Sequence, residues 1–147
     1  MTSRVQFSRL ISLLFVMAFH VSAFAKDVPE VVKKAFAAKY PDAKDVGDWD
    51  TDAHDYWEIH FKRDGKKYRA DFHPDGRWRE TERSIEFEDL PVAVQHAINR
   101  DHPDEKINEI ESVDSAEKGR FFDVEFKRKG KNHDIEYRED GSRVADE

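Results

Sequence analysis

Residues 60–78 read HFKRDGKKYRADFHPDGRW, and residues 125–143 read EFKRKGKNHDIEYREDGSR, with aromatic residues, paired charges and glycines in matching places. Self-similarity of this kind limits the architecture before any single element is assigned, because each copy has to build the same supersecondary unit. The match extends upstream. Val28-Pro29-Glu30-Val31-Val32-Lys33-Lys34-Ala35-Phe36 aligns with Leu90-Pro91-Val92-Ala93-Val94-Gln95-His96-Ala97-Ile98 at a shift of 62, and Tyr40-Pro41-Asp42-Ala43-Lys44 falls on His102-Pro103-Asp104-Glu105-Lys106 at the same shift. By Trp57 against Phe122 the shift is 65, so the second copy carries three extra residues in the stretch around Ser115 to Arg120.

Each unit opens with a short helix. Pro29 and Pro91 stand where a first-turn proline is tolerated, and Val28, Val32, Ala35, Phe36 and Lys39 trace a stripe at helical spacing. Pro41 and Pro103 close the two helices, since the residue before proline avoids the helical region. A hairpin follows in each unit. With Asp64-Gly65 as a two-residue turn, Phe61 pairs with Tyr68, Ile59 with Ala70 and Trp57 with Phe72 on one face, while His60 meets Arg69, Glu58 meets Asp71 and Tyr56 meets His73 on the other. A Lys129-Gly130 turn pairs Phe126 with His133, Val124 with Ile135 and Phe122 with Tyr137 on the apolar side. Both hairpins separate apolar from polar at period two, which a one-residue slip would scramble.

A second tight turn closes each hairpin at His73-Pro74-Asp75-Gly76 and Arg138-Glu139-Asp140-Gly141. A further strand is expected over residues 77–85 in the first unit, with a stub from Arg143 in the second. A strand before each hairpin is expected over residues 43–49 and 106–114. The fold class is therefore α+β: two tandem helix-plus-four-strand antiparallel meanders, with helices on one face of the sheet or sheets and the other face exposed.

This organisation, with the cadence FKRDGKKYRADFHPDGRW, a YP-D break after each helix and an F-x-x-DG turn, resembles the PepSY-like family, whose unit is similar to the beta-lactamase inhibitor protein fold. The likeness covers residues 28–85 and 90–144. The second copy departs from the pattern, with no Asp before Gly130 and a very short last strand. The resemblance implies an exported bacterial protein with an inhibitory or regulatory role, and it supplies no catalytic motif.

Ahead of the units, Arg4 and Arg9 precede an apolar run from Leu10 to Phe19 and a small-residue A-x-A site at Ala23-Phe24-Ala25. This is the layout of a signal peptide cleaved after Ala25, and it predicts a periplasmic or secreted product. The run is too short to span a bilayer, so no membrane insertion of the mature chain is expected. The organisation expected is a signal peptide over 1–25, one unit over 26–86 and a second over 87–147. Loss of the signal would change the net charge from −7 to −9 and leave 122 residues without a cysteine, so stability rests on packing rather than disulfides. An acidic chain disfavours nucleic acid and favours a basic partner.

Catalytic chemistry finds little support. No G-x-S-x-G is present, and Ser84, Ser112, Ser115 and Ser142 have no histidine placed by spacing. Neither an enzyme nor a cofactor is expected. Residues 48–54, DWDTDAH, alternate carboxylates as a calcium loop does, but Ala53 stands where the turn glycine is required and Ile59 where a bidentate acid is required. His60 and His73 share a face, yet His60 is opposite the cation Arg69, and no zinc-type ligand spacing occurs. His133 reads as a histidine at the edge of the core.

The open faces are the remaining candidate. Glu125 opposite Asp134 and Asp123 opposite Glu136 bring like charges together, which destabilises a sheet. Around Glu58 and Asp71 the neighbouring His60 and Arg69 offset that charge. Tyr56 and Phe121 are expected as aromatic anchors beside these charges, with Trp49 and Trp78 either joining them or sealing the sheet against its helices. The binding residues expected are Tyr56, Glu58, His60, Arg69, Asp71, Phe121, Asp123, Glu125, Asp134 and Glu136. The function expected is non-catalytic capture of a basic protein or peptide, and the alternative is an envelope metal- or calcium-binding protein using the carboxylates and histidines.

Overall fold

A computed structural model describes residues 27–145; the proposed signal peptide lies outside the described residues. Helix α1 (Glu30–Lys39) leads to strands β1 (Trp49–Thr51), β2 (Trp57–Arg63), β3 (Lys66–Phe72) and β4 (Trp78–Ser84), and α2 (Val92–Asp101) leads to β5 (Lys106–Ser115), β6 (Gly119–Lys127) and β7 (His133–Tyr137). The strands form one seven-stranded antiparallel sheet in sequence order, β1 to β7. The two units are thus joined edge to edge through β4 and β5, from Glu80 opposite Ser115 to Ser84 opposite Glu111.

Both helices begin and end at their prolines. The Pro29 carbonyl accepts from the amides of Val32 and Lys33, and the Pro91 carbonyl from those of Val94 and Gln95. Tyr40 and His102, each directly before a proline, are the C-cap residues. The hairpin registers are those expected, rung for rung, from Trp57 opposite Phe72 to Phe61 opposite Tyr68 and from Phe122 opposite Tyr137 to Phe126 opposite His133. Asp64 and Gly65 both have positive φ, 49° and 74°, as a type I′ turn requires. The tip at Lys129-Gly130 is looser: ladder pairing stops at Phe126–His133, and the Arg128 amide donates to the Asn132 side chain at 3.3 Å.

Two expectations about the outer strands need correction. The first unit has no strand over 43–49. Lys44 makes a single bridge to Lys62, the backbone turns through Asp45 at φ 47°, and pairing resumes only at Trp49–Thr51. Among the described residues the second unit has three strands, and the expected stub is one isolated bridge from Arg143 to Tyr137.

The alternation produces two apolar clusters on the helix side of the sheet. Val32, Phe36 and Tyr40 of the first helix region pack on Trp57, Ile59, Phe61, Ala70 and Phe72. Val94, Ala97 and Ile98 of α2 pack on Ile110, Phe122, Val124, Phe126 and Tyr137, with Leu90 completing the group. In the first cluster Phe36 touches Phe61 edge-on at 5.3 Å between ring centroids, and Tyr40 lies 4.7 Å from Phe61. Trp49 and Trp78 pack against this cluster, so they seal the sheet and are not part of the open face.

The second turn of each unit is pressed against its helix. A Cβ at Gly76 would stand 2.8 Å from the Val31 side chain, and one at Gly141 would stand 2.5 Å from the Ala93 carbonyl oxygen. Both glycines have positive φ, 87° and 81°, so no other residue suits either the backbone angle or the space. Gly141→Ala is expected to destabilise the protein by about 1–3 kcal/mol in chemical denaturation. Gly65→Ala has the same sign of φ but nothing within 4 Å of the added carbon, so its cost is smaller, about 1 kcal/mol.

Candidate functional site: the open face of the sheet

Since the helices cover one face, the odd residues of β5 from Glu109 onward and those of β6 project from the other, with their neighbours. One rung sets Glu58, Asp71 and Glu80 side by side on β2, β3 and β4. The next runs His60, Arg69, Glu82, Val113 and Phe121 across five strands. A third aligns Ser84, Glu111, Asp123 and Glu136, and a fourth Glu109, Glu125 and Asp134. Acidic groups therefore stand directly opposite one another on three of the four rungs, an arrangement that opposes folding unless it is offset.

Three cations offset it. Arg69 pairs with Glu82 and also lies 3.8 Å from Asp71 and 3.9 Å from Glu58. A bulge at Asp71/Phe72 places Arg79 next to Glu80, where its guanidinium pairs with Glu80, approaches Asp71 at 3.6 Å and covers the Tyr56 ring at 4.7 Å. In the β5–β6 turn, the Lys118 ammonium donates to both carboxylate oxygens of Glu136 at 2.7 Å and sits 5.5 Å from the Phe121 ring. Arg79, Glu80, Glu82, Glu111 and Lys118 escaped the sequence reading. The Asp75-Gly76 turn sets Trp78 opposite Phe72, but the bulge then shifts the register so that Glu80 and Glu82 take this face, and that bulge and the pairing of β4 with β5 are set by the assembled sheet.

The expected binding residues share this face, with different degrees of access. His60 and Asp134 are exposed, and Tyr56, Glu58, Arg69, Asp123, Glu125 and Glu136 are half-buried. Asp71 is buried, at 4% exposure. Phe121 needs correction as a free aromatic anchor: at 4% exposure it forms the floor of a depression beside Val113, under Lys118. That depression has a volume of about 220 Å³ and is walled by Arg79, Glu80, Glu82, Lys118, Asp123 and Glu136. Tyr56 stands at the margin, with His73 edge-on at 4.9 Å.

Burial governs the ionisation of the central acids. It pushes the Asp71 carboxyl up to about 7, against Arg69 and helped by Glu82, Glu80 and Glu58. Burial and the Glu82 charge bring Glu111 to about 7, again against Arg69, while burial with Asp134 and Glu136 brings Asp123 to about 6. Glu80 is raised by burial, with Arg79 opposing. Asp71 Oδ1 and Asp123 Oδ1 are buried without a hydrogen-bond donor among the described residues, consistent with carboxyls that hold a proton more tightly than usual.

Elsewhere the acidic loop serves its own backbone. Asp52 Oδ1 accepts from the amides of His54 and Tyr56 at 2.8 and 2.9 Å, and Asp50 Oδ1 from Thr51 at 2.7 Å. His60 Nε2 is 2.9 Å from Glu58 Oε1, and neither His60 nor His73 joins a group of three convergent metal donors among the described residues. Asp71, Glu80 and Glu82 do bring carboxylate oxygens within 4.8 Å of one another, with Arg69 and Arg79 already supplying the opposing charge.

Comparison with known proteins places this architecture. A family model described as "Putative beta-lactamase-inhibitor-like, PepSY-like" matches residues 17–66 and 55–142. A crystal structure described as a BLIP-like protein from Bacteroides fragilis superposes with a TM-score of 0.70 at 20% identity, covering 82% of this chain and 85% of that one. One from Bacteroides eggerthii, described as a "putative periplasmic" protein, gives 0.70 at 20% identity over 82% and 88%. A DUF2874 family protein from Bacteroides ovatus gives 0.70 at 18% identity over 82% and 86%. No curated protein matches the chain. No helix among the described residues is long and apolar enough to cross a membrane.

The raised carboxyls fix the sign of a pH dependence. Between their ordinary values near 4 and their folded values near 6 to 7, the folded state holds more protons than the unfolded one, so stability falls as pH rises. Carboxyls lowered by ion pairs, such as Asp45 and Asp101, act only below about pH 4. The melting temperature is therefore expected to drop between about pH 5 and 7.5, and Asp71→Asn with Glu111→Gln to flatten that slope and raise the melting temperature at pH 7.5.

Proposed function

The chain belongs to the PepSY-like, beta-lactamase-inhibitor-like family, and from that premise we propose that it is an exported, periplasmic, non-catalytic binding protein whose open sheet face captures a basic protein or peptide. The observation that carries this reading is the set of acidic rungs on a face that neither α1 nor α2 covers. Like-charge neighbours cost stability. Lysine or arginine side chains of a partner, laid between Glu109, Glu125 and Asp134, would relieve that repulsion on binding. The depression over Val113 and Phe121 adds apolar floor area beside the charges, the combination from which binding hot spots are built. The fold of the beta-lactamase-inhibitor-like relatives and the description of one as periplasmic support the same reading.

Complementary charge of this sort acts chiefly on the encounter rate and weakens with salt. Glu125→Lys with Asp134→Lys is expected to reduce partner recovery from a periplasmic extract by about tenfold or more, while leaving circular dichroism and melting unchanged or improved. Recovery of every partner by that variant at the wild-type level would refute the assignment.

A further inference from the structure

On the helix-bearing side of the sheet, away from the open face, the two copies of the repeat differ in the chemistry of one ring cluster. In the first unit Tyr40, Phe61 and Tyr68 form an aromatic trio, with Phe61 4.7 Å from Tyr40 and 5.6 Å from Tyr68. At the equivalent positions the second unit carries His102, Phe126 and His133, with Phe126 4.6 Å from His102 and 5.3 Å from His133. The position of Ala43 is taken by Glu105. The geometry of the trio is kept while its outer rings become imidazoles with a carboxylate between them. His102 Nδ1 is 2.7 Å from Glu105 Oε1, and His133 Nε2 is 3.8 Å from Glu105 Oε2.

We propose that His102, Glu105 and His133 form a binding site for a divalent transition-metal ion of the zinc class, present in the second unit and lacking in the first. The donor atoms of the three residues lie within 4.8 Å of one another. Donors that share a tetrahedral zinc stand about 3.3 Å apart, given bonds of roughly 2.0–2.1 Å, so small side-chain rotations bring these three together. Two imidazoles and one carboxylate are a ligand set suited to zinc, with a coordination position left over for solvent or a partner's side chain. Each donor comes from a different element: the C-cap of α2, the turn before β5 and the first residue of β7. Phe126 backs both rings, which limits their motion.

Two arginines define the metal-free form. Arg128 Nε is 3.3 Å from Glu105 Oε2, and an Arg143 guanidinium nitrogen is 3.1 Å from His102 Nε2. Arginine can only donate, so His102 Nε2 is the acceptor and its Nδ1 carries the proton given to Glu105. A metal at Nδ1 takes the neutral tautomer whose proton is on Nε2, and Arg143, which can only donate, then has to leave. Arg128 and Arg143 are both exposed, and their long side chains can swing away. Arg143 is thus a competitor whose removal favours the metal.

Zinc titrated alone into the purified chain, read by calorimetry and by the melting temperature, tests the site. The wild type is expected to bind one equivalent at micromolar zinc. Arg143→Gln should bind about tenfold more tightly, on the scale of one lost charge-assisted hydrogen bond. His102→Tyr, Glu105→Ala and His133→Tyr combined reproduce the first unit's own trio and so suit the fold; this variant should lose binding at least a hundredfold, and Glu105→Gln alone should weaken it about tenfold or more. His60→Gln with His73→Gln should leave zinc binding unchanged. Wild-type affinity in the triple variant, or no zinc-dependent heat from either the wild type or Arg143→Gln up to about 1 mM zinc, would overturn the assignment.

Discussion

Side-chain alternation across a hairpin of fixed register is the constraint on which the rest of this protein depends. Asp64 and Gly65 adopt the two positive φ angles of a type I′ turn, and that turn sets every rung from Arg63–Lys66 back to Trp57–Phe72. Once Trp57, Ile59 and Phe61 face α1, Glu58 and His60 can only face away from it. The same holds in the second copy, where Phe122, Val124 and Phe126 under α2 force Asp123 and Glu125 to the far side. The apolar and acidic faces are consequences of one choice.

That choice has an electrostatic cost, and the structure shows where it is met. Arg69 and Arg79 sit among Glu58, Asp71, Glu80 and Glu82, and Lys118 holds Glu136. Glu111 and Asp123 are in no ion pair among the described residues and hold their protons to higher pH instead. At the far end of the face, beside the exposed Asp134, Glu109 and Glu125 are held by neutral donors: Asn108 and Asn132 reach Glu125, and Ser84 reaches Glu109. This is the region where charge is least compensated, and it makes the face suited to a cationic partner.

Much of the fold was legible in the amino-acid sequence because duplication and period-two patterning are local signals. Both hairpin registers, both helices with their prolines and the sequestering of the core rings follow from residues within about 20 positions of one another. What escaped depends on tertiary pairing. The join of β4 to β5 decides that Glu82 meets Val113 and so walls the floor that Val113 shares with Phe121, and no turn motif encodes that join. The first strand was displaced to Trp49–Thr51 because Gly47 donates to the His60 carbonyl across an irregular stretch opened by Asp45. The fourth strand of the second unit shrank to one bridge at Arg143. The histidine cluster was missed because its members are 31 residues apart in sequence and become a group only when Tyr40 and Tyr68 are laid over His102 and His133.

The central claim is that a single alternation buries one face and crowds carboxyls on the other, and residue-resolved NMR titration of the side-chain carboxyls tests it most directly. Midpoints of about 6 to 7 for Asp71, Glu111 and Asp123, well above the ordinary carboxyl range near 4, are the result this account predicts. Titration of all three near pH 4 would contradict it.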